Sequence, residues 1–245
     1  MRIINLFCDA SIDIDAKIAC AGCYIVYQDI NGTKEIGKKM LIQHNTTNNS
    51  AEILAIWIGI VEALKLRPIY SDAVFRLFSD SKISLYGLRD WMKNWIRNSI
   101  HVNSVELISS SGTPVANQQR FIDIYNLIVE NNLKIELYHQ RGHVGEGRVS
   151  VDRARVQFIK ANKVSPENMG LDTNFLSLCN NYIDNFTRAS VRAYIDNHIL
   201  LADTDILLED PMIHSIRSER LPQYIKCINK TSVISRHDFK GGYNQ

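Results

Sequence analysis

The chain has 245 residues, 28 Lys or Arg against 26 Asp or Glu, a formal net charge of +2 and a 45% hydrophobic content. That supports an ordinary packed core and excludes a generic polycation that coats nucleic acid by charge alone. No run of about 18 uncharged apolar residues is present, which excludes a membrane-spanning helix.

The first part reads as strands. Residues 3–8 are apolar and β-rich, and 19–27 share that character. Asn31-Gly32 is a turn signal and 33–44 follows as the next strand, so three sequential antiparallel strands are expected. Residues 49–66 carry apolar side chains at 53, 54, 57, 60, 61 and 64, the helical period, and the pattern stops before Pro68. A short buried-type strand is expected over 74–78 and an aromatic-rich helix over 81–98. Residues 99–117, with Ser109-Ser110-Ser111-Gly112 and Pro114, read as a loop or insertion. Then come a helix over 117–131, a strand over 134–139, a glycine-bearing loop over 140–150 and a helix over 151–162. Helix-linked strands after a three-strand meander give an α/β fold with a mixed sheet.

Ser165-Pro166 marks a boundary between a first domain over 1–164 and a C-terminal extension over 165–245. The extension holds 8 basic and 10 acidic residues, net −2, which leaves +4 on the first 164. Residues 174–201 read as helical, with an amphipathic pattern around Phe175, Leu178, Tyr182 and Phe186. Beyond Asp210-Pro211 the periodicity weakens, and 237–245 read as a frayed tail.

Four carboxylates carry the chemistry. Asp9 is expected to end the first strand, Glu52 to lie in the first turn of the first helix, Asp80 to end the fourth strand, and Asp152 to open the last helix of the first domain. Each alone also fits a bland role. Glu52 lies three residues after Asn49, as in a capping box. Asp80 fits an N-cap, Asp152 a helix macrodipole and Asp9 a turn. Together they point elsewhere. If the first and fourth strands are adjacent and parallel, Asp9 and Asp80 converge at one sheet edge, and the two helix-borne acids can complete a cluster. Clustered carboxylates raise one another's pKa and stay ionised only with cations among them. Hard oxygen ligands suit Mg²⁺, and two such ions about 4 Å apart can activate a water and stabilise a leaving oxygen in phosphodiester cleavage.

These acids sit in motifs that resemble type 1 ribonuclease H over about residues 1–162. The motifs are Leu6-Phe7-Cys8-Asp9-Ala10-Ser11, Thr46-Thr47-Asn48-Asn49-Ser50-Ala51-Glu52 and Leu77-Phe78-Ser79-Asp80-Ser81. Gly87-Leu88-Arg89-Asp90-Trp91-Met92-Lys93-Asn94-Trp95 is similar to the family's substrate-handle segment, and Gly142-His143-Val144-Gly145 leads to Asp152. The resemblance implies a ribonuclease H-like fold, with a mixed five-stranded sheet and flanking helices, while the extension, which matches nothing in that family, is expected to be mainly helical. It implies metal binding by Asp9, Glu52, Asp80 and Asp152, with two Mg²⁺ ions for which Mn²⁺ can substitute. It also implies cleavage of the RNA strand of an RNA–DNA hybrid, leaving 5′-phosphate and 3′-hydroxyl ends.

The resemblance also assigns substrate contacts. His143 would carry a proton for the leaving 3′-oxygen or aid product release, a role suited to an ordinary histidine pKa near 6.5. Asn48 and Asn49, whose simpler role is helix capping, would contact the hybrid's minor groove, and Ser11 would do similar work. Trp91 would pack against the DNA strand beside Arg89, Lys93 and Arg97, whereas Trp95 fits core packing. His139, on a strand, reads as structural. Ala10 departs from the family's usual glycine, Lys82 from a polar amide, and 99–113 from the family's length.

Cys20 and Cys23 form a C-x-x-C in a strand with no second pair, and at that spacing they face opposite ways, so buried thiols are expected rather than zinc ligands. Five cysteines in all, and an N-terminus with no apolar signal stretch, fit a reducing cytoplasm. Two further functions fit the same residues: a nuclease on another structured RNA or DNA, and a nucleic-acid-binding or assembly module. The net acidic extension is expected to serve protein contact or self-association rather than duplex binding.

Overall fold

The computed structural model describes residues 2–142, 144 and 149–207. Three long strands form the expected meander: β1 (Arg2–Asp13), β2 (Ile18–Asp29) and β3 (Gly32–His44), each antiparallel to the next. The helix α1 (Asn48–Leu66) returns the chain to β4 (Ala73–Ser79), which lies parallel to β1. After α2 (Lys82–Tyr86), α3 (Met92–His101) and α4 (Gln118–Glu130), β5 (Ile135–His139) pairs parallel to β4, and α5 (Val151–Asn162) follows. The extension contributes α6 (Thr173–Asn197) and a short strand, β6 (Thr204–Ile206).

The sheet therefore has six strands, in the order β5-β4-β1-β2-β3-β6, rather than five. The sixth exists because β3 leaves an open edge that the extension closes. The amide of Met40 donates to the Asp203 carbonyl at 2.9 Å, that of Leu207 donates to the Ile42 carbonyl at 2.8 Å, and Lys39 pairs with Asp205. A three-residue strand carries almost no propensity signal, so only its neighbour reveals it.

Strand alternation divides the core into two layers. Ile4, Leu6 and Cys8 pack with Ile53, Leu54 and Phe121, on the side of α1 and α4. Phe7 faces the other way, stacked on Phe78 at 5.0 Å and packed with Phe158 of α5 and Ile183 of α6. Cys20 lies in this second layer and Cys23 in the first, both buried, as their odd spacing requires.

The helix expected over 81–98 is interrupted. A π-helical turn, Gly87–Trp91, separates α2 from α3. Gly87 sits so close to the Phe121 ring that a Cβ there would collide with it. The stretch after α3 folds back as an ordered loop: Leu107 and Ile108 are buried, and the Asn98 side chain donates to the carbonyls of Ile108 and Ser109.

α6 ends at Asn197, and its buried face differs from the expected one. Leu178 is 68% exposed, while Leu176, Cys179, Ile183 and Val191 face the sheet together with Asn180, Asp184, Thr187 and Ser190. The reason is close approach. A Cβ on Gly22 would lie 2.9 Å from both Ile183 Cδ1 and Thr187 Cγ2, so the helix touches β2 where the strand has no side chain. Small and polar residues fit that contact where aromatic ones would not. Among the described residues, no helix is long and apolar enough to cross a membrane.

Candidate metal centre

The parallel register of β1 and β4 creates the site. Phe7 pairs with Phe78, so Asp9 stands level with Asp80, one residue past the end of β4. β1 does not end at Asp9. It runs on to Asp13 because β2 keeps pairing with it, and Asp9 lies opposite Gly22. The notch forms because β4 stops while β1 and β2 continue. By alternation Asp9 shares the face of Phe7, the α6 side of the sheet.

Glu52 enters from α1. Thr47, not Asn49, caps this helix, its side chain accepting from the Ser50 amide at 3.3 Å. The helix begins at Asn48, which places Glu52 beyond its first turn and leaves no Asn49–Glu52 capping box. That frees the carboxylate for the cluster. Asp80 is likewise no cap, since Ser81 holds the position before α2. One carboxylate oxygen from each of Asp9, Glu52 and Asp80 lies within 4.8 Å of the others.

These acids are held in a costly state. Asp9 is only 5% exposed, and its carboxyl is raised well above the usual range by burial first, then by the charges of Asp80, Glu52 and Asp184. The Ala10 amide, donating to Asp9 Oδ1 at 2.8 Å, works against that rise. Burial, then Asp80 and Asp184, push Glu52 up to about 8. Glu52 Oε2 is buried and accepts no hydrogen bond. A buried carboxylate oxygen without a donor, among like charges, fits a cation as its missing partner. An all-oxygen donor set fits Mg²⁺ or Mn²⁺ better than a thiophilic metal.

His139 braces Asp80 from behind. Its Nε2 lies 3.2 Å from the Asp80 carbonyl, and burial, aided by Lys82, pushes its pKa down to about 4. Gly142 lies against the Asp80 carboxylate so tightly that a Cβ there would clash. The structural reading of His139 is the observed one.

A pH prediction follows. Between about 6.5 and 8 the metal-free native state holds protons on Glu52 that the unfolded chain has released, so stability falls as pH rises. His139 acts oppositely, but only between about 4 and 6.5, below this window. The melting midpoint of metal-free protein should drop by several degrees from about pH 6.5 to 8, at about 2–4 °C per kcal/mol for a chain of this size. Saturating Mg²⁺ should remove most of that drop, since metal binding displaces protons. Calorimetry over this range in EDTA and in Mg²⁺ checks it; a flat metal-free profile would count against the buried cluster.

The remaining expected site residues are placed as follows. Asp152 lies in the first turn of α5, which Ser150 caps, and is exposed and outside the three-acid group. Asn48 and Asn49 are exposed at the start of α1, about one turn before Glu52. Ser11 is half-buried on the same face as Asp9. Trp91 is 38% exposed and Lys93 exposed, while Trp95 is buried against Phe121. Arg89 does not join them at the surface: it donates to Leu137 O and Asn162 Oδ1 and pairs with Asp90. His143 lies outside the described residues.

The charge of Asp184, which helps raise both Asp9 and Glu52, is not legible in the sequence. Its only local sign is polar spacing, with Asn180, Asp184, Thr187 and Ser190 three or four apart, which resembles a solvated helix face.

The chain is similar to known proteins over its first domain. The sequence model of a family described as RNase H matches residues 1–160. A "Ribonuclease H" of Prochlorococcus marinus (strain NATL1A) is 33% identical over 121 residues, 49% of this chain and 66% of that protein. A "Ribonuclease H" of Ruthia magnifica subsp. Calyptogena magnifica is 26% identical over 151 residues, 60% of this chain and 87% of that protein. Among solved structures, one of LC11-RNase H1 in complex with an RNA/DNA hybrid overlaps with a TM-score of 0.41 at 15% identity, over 71% of this chain and 99% of that one. An overlap that loose adds nothing to the topology already described.

Proposed function

The chain belongs to the ribonuclease H family, and from that premise we propose that it is a Mg²⁺-dependent endoribonuclease that hydrolyses the RNA strand of RNA–DNA hybrids. The observation that carries the reading is the group of Asp9, Glu52 and Asp80 oxygens within 4.8 Å, one of them buried without a donor. These three side chains hold the metal. Two bound Mg²⁺ ions would supply activation of a water and neutralisation of charge on the leaving 3′-oxygen, giving 5′-phosphate and 3′-hydroxyl ends.

The protein groups position the duplex. The amides of Asn48 and Asn49, exposed just before Glu52, reach the minor groove, where 2′-hydroxyls distinguish RNA from DNA. Ser11 contributes from β1. Trp91, standing on the π-helical turn, presents an aromatic face to the DNA strand, and Lys93 presents a charge to its phosphates. His143 takes the role of proton carrier for the leaving oxygen. Asp152, in the first turn of α5, is the fourth carboxylate of this reading, exposed and outside the group of three.

The test is cleavage of a labelled hybrid, double-stranded RNA and both single strands, with Mg²⁺ and with EDTA. The expected result is cutting of the hybrid's RNA strand alone, and only with metal. Cutting of double-stranded RNA in preference to hybrid would move the chain to another substrate, and metal-independent cutting would overturn the reading.

A further inference from the structure

β5 forms one edge of the sheet, and a cavity opens beside its end. α2 flanks that edge on one face, with Leu85 in the first core layer, and α5 on the other, with Phe158 in the second. The cavity has a volume of about 350 Å³. It is lined by Lys82 and Tyr86 of α2, by His139 and Arg141 at and just past the end of β5, and by Gln157 and Lys160 of α5. Three of these side chains are cations, and among the described residues no acid lines it. Lys82, Arg141 and Lys160 are exposed, and none forms an ion pair among the described residues. Arg89 and Arg155, on the neighbouring helices, are by contrast paired with Asp90 and Glu167. His139 is the buried member of the lining, 5% exposed. Its Nε2 donates to the Asp80 carbonyl, which leaves Nδ1 as an acceptor. That Nδ1 is buried with no hydrogen-bond partner among the described residues.

We infer that this cavity binds the terminal phosphate of a nucleotide, either at the 5′ end of a nucleic-acid strand or on a free mononucleotide. Unpaired cations around one cavity, with no acid among them, favour an anion. A phosphate monoester carries about −1.5 to −2 charge and three acceptor oxygens, where a backbone diester carries a single charge, so it matches three cations better. Arg141 offers a planar fork of donors to such a group, and the two lysines offer point charges. A nucleotide also brings sugar hydroxyls, donors of the kind that Nδ1 of His139 lacks. The volume lies within the range of about 300–1,000 Å³ usual for small-molecule sites. The cavity adjoins the carboxylate notch without belonging to it. Lys82 follows Asp80 by two residues, and Arg141 precedes Gly142, which packs against the Asp80 carboxylate. None of the three cations holds the metal or contacts the hybrid in the proposed reaction, so the inference stands apart from that reaction. A strand whose 5′ end is held here presents a fixed stretch to the carboxylates.

The experiment measures binding of the full chain, in EDTA so that no strand is cut, to an RNA–DNA hybrid with the label on its DNA strand. The RNA strand carries either a 5′-phosphate or a 5′-hydroxyl. The wild type should bind the phosphorylated hybrid at least about fivefold more tightly. Arg141→Gln and Lys160→Gln, both at exposed positions, should each bring that ratio below about twofold while the melting midpoint and the affinity for the 5′-hydroxyl hybrid hold. Calorimetry with adenosine 5′-monophosphate, and with adenosine as its control, separates the two sources of the phosphate. Binding of the mononucleotide without a preference among hybrids assigns the cavity to free nucleotides, and the preference without mononucleotide binding assigns it to strand ends. Absence of both in the wild type overturns the inference. Equal losses on both hybrids in the variants also overturn it, since these cations would then contact backbone diesters. Asp80→Asn should keep the fivefold ratio, so failure here is read separately from failure of the proposed reaction.

Discussion

Asp80→Asn should lose hybrid cleavage by at least about 10³-fold, roughly 4 kcal/mol of transition-state stabilisation, while keeping its fold. The side chain is isosteric, so the packing of Gly142 against it survives. The brace from His139 reaches the backbone carbonyl of Asp80, which the substitution leaves in place. What disappears is one negative charge from a group of three within 4.8 Å. Metal-free protein should therefore melt no lower than the wild type, since a like-charge repulsion on Asp9 and Glu52 has been removed. The pairing of lost activity with undiminished stability separates a metal-holding acid from a structural one. Measurement needs a labelled RNA strand in a hybrid and a melt in EDTA. Substantial cleavage by the purified variant would sink the assignment.

The second large effect concerns the extension. Deleting 163–245 should leave a chain that does not fold to the native state, although the family match ends at residue 160. Met169, Leu171, Leu176, Ile183 and Val191 are all buried in the second core layer with Phe7, Met40, Ile42 and Phe78. Five such side chains at about 2 kcal/mol each amount to roughly 10 kcal/mol, as much as the whole stability of a typical domain. Arg76, buried between strands, would also lose the Met169 carbonyl to which it donates at 2.8 Å. The expected product has weak near-ultraviolet circular dichroism, binds a hydrophobic dye and elutes as aggregate. A monomeric, cooperatively melting fragment would show that the first 162 residues suffice. An extension that only served protein contact should be dispensable for folding, so this deletion also tests that expectation.

Where residues act through local pattern, the sequence was a sound guide. The meander, α1, β4, β5 and α5 stand where apolar periodicity and turn residues put them, α5 to the residue. Cys20 and Cys23 separate into opposite layers because strand alternation depends only on spacing. Convergence of Asp9 and Asp80 needed one further condition, that β1 and β4 pair in parallel, and they do. The errors lie where a partner distant in sequence sets the outcome. Glu52 is free of capping because Thr47 caps instead. Arg89 is drawn inward by Leu137 and Asn162, which a reading of the local basic segment cannot foresee.

The sequence by itself determined the order of elements, the family and the three acids, since each depends on residue types at short separations. The tertiary structure decided how closely those three meet, through the parallel register of β1 and β4 and the entry of α1 beside them. Gly22 lets α6 settle closely on β2, an approach that no local pattern in either segment announces. The same packing joins the described parts of both segments, unremarkable in composition, in one sheet.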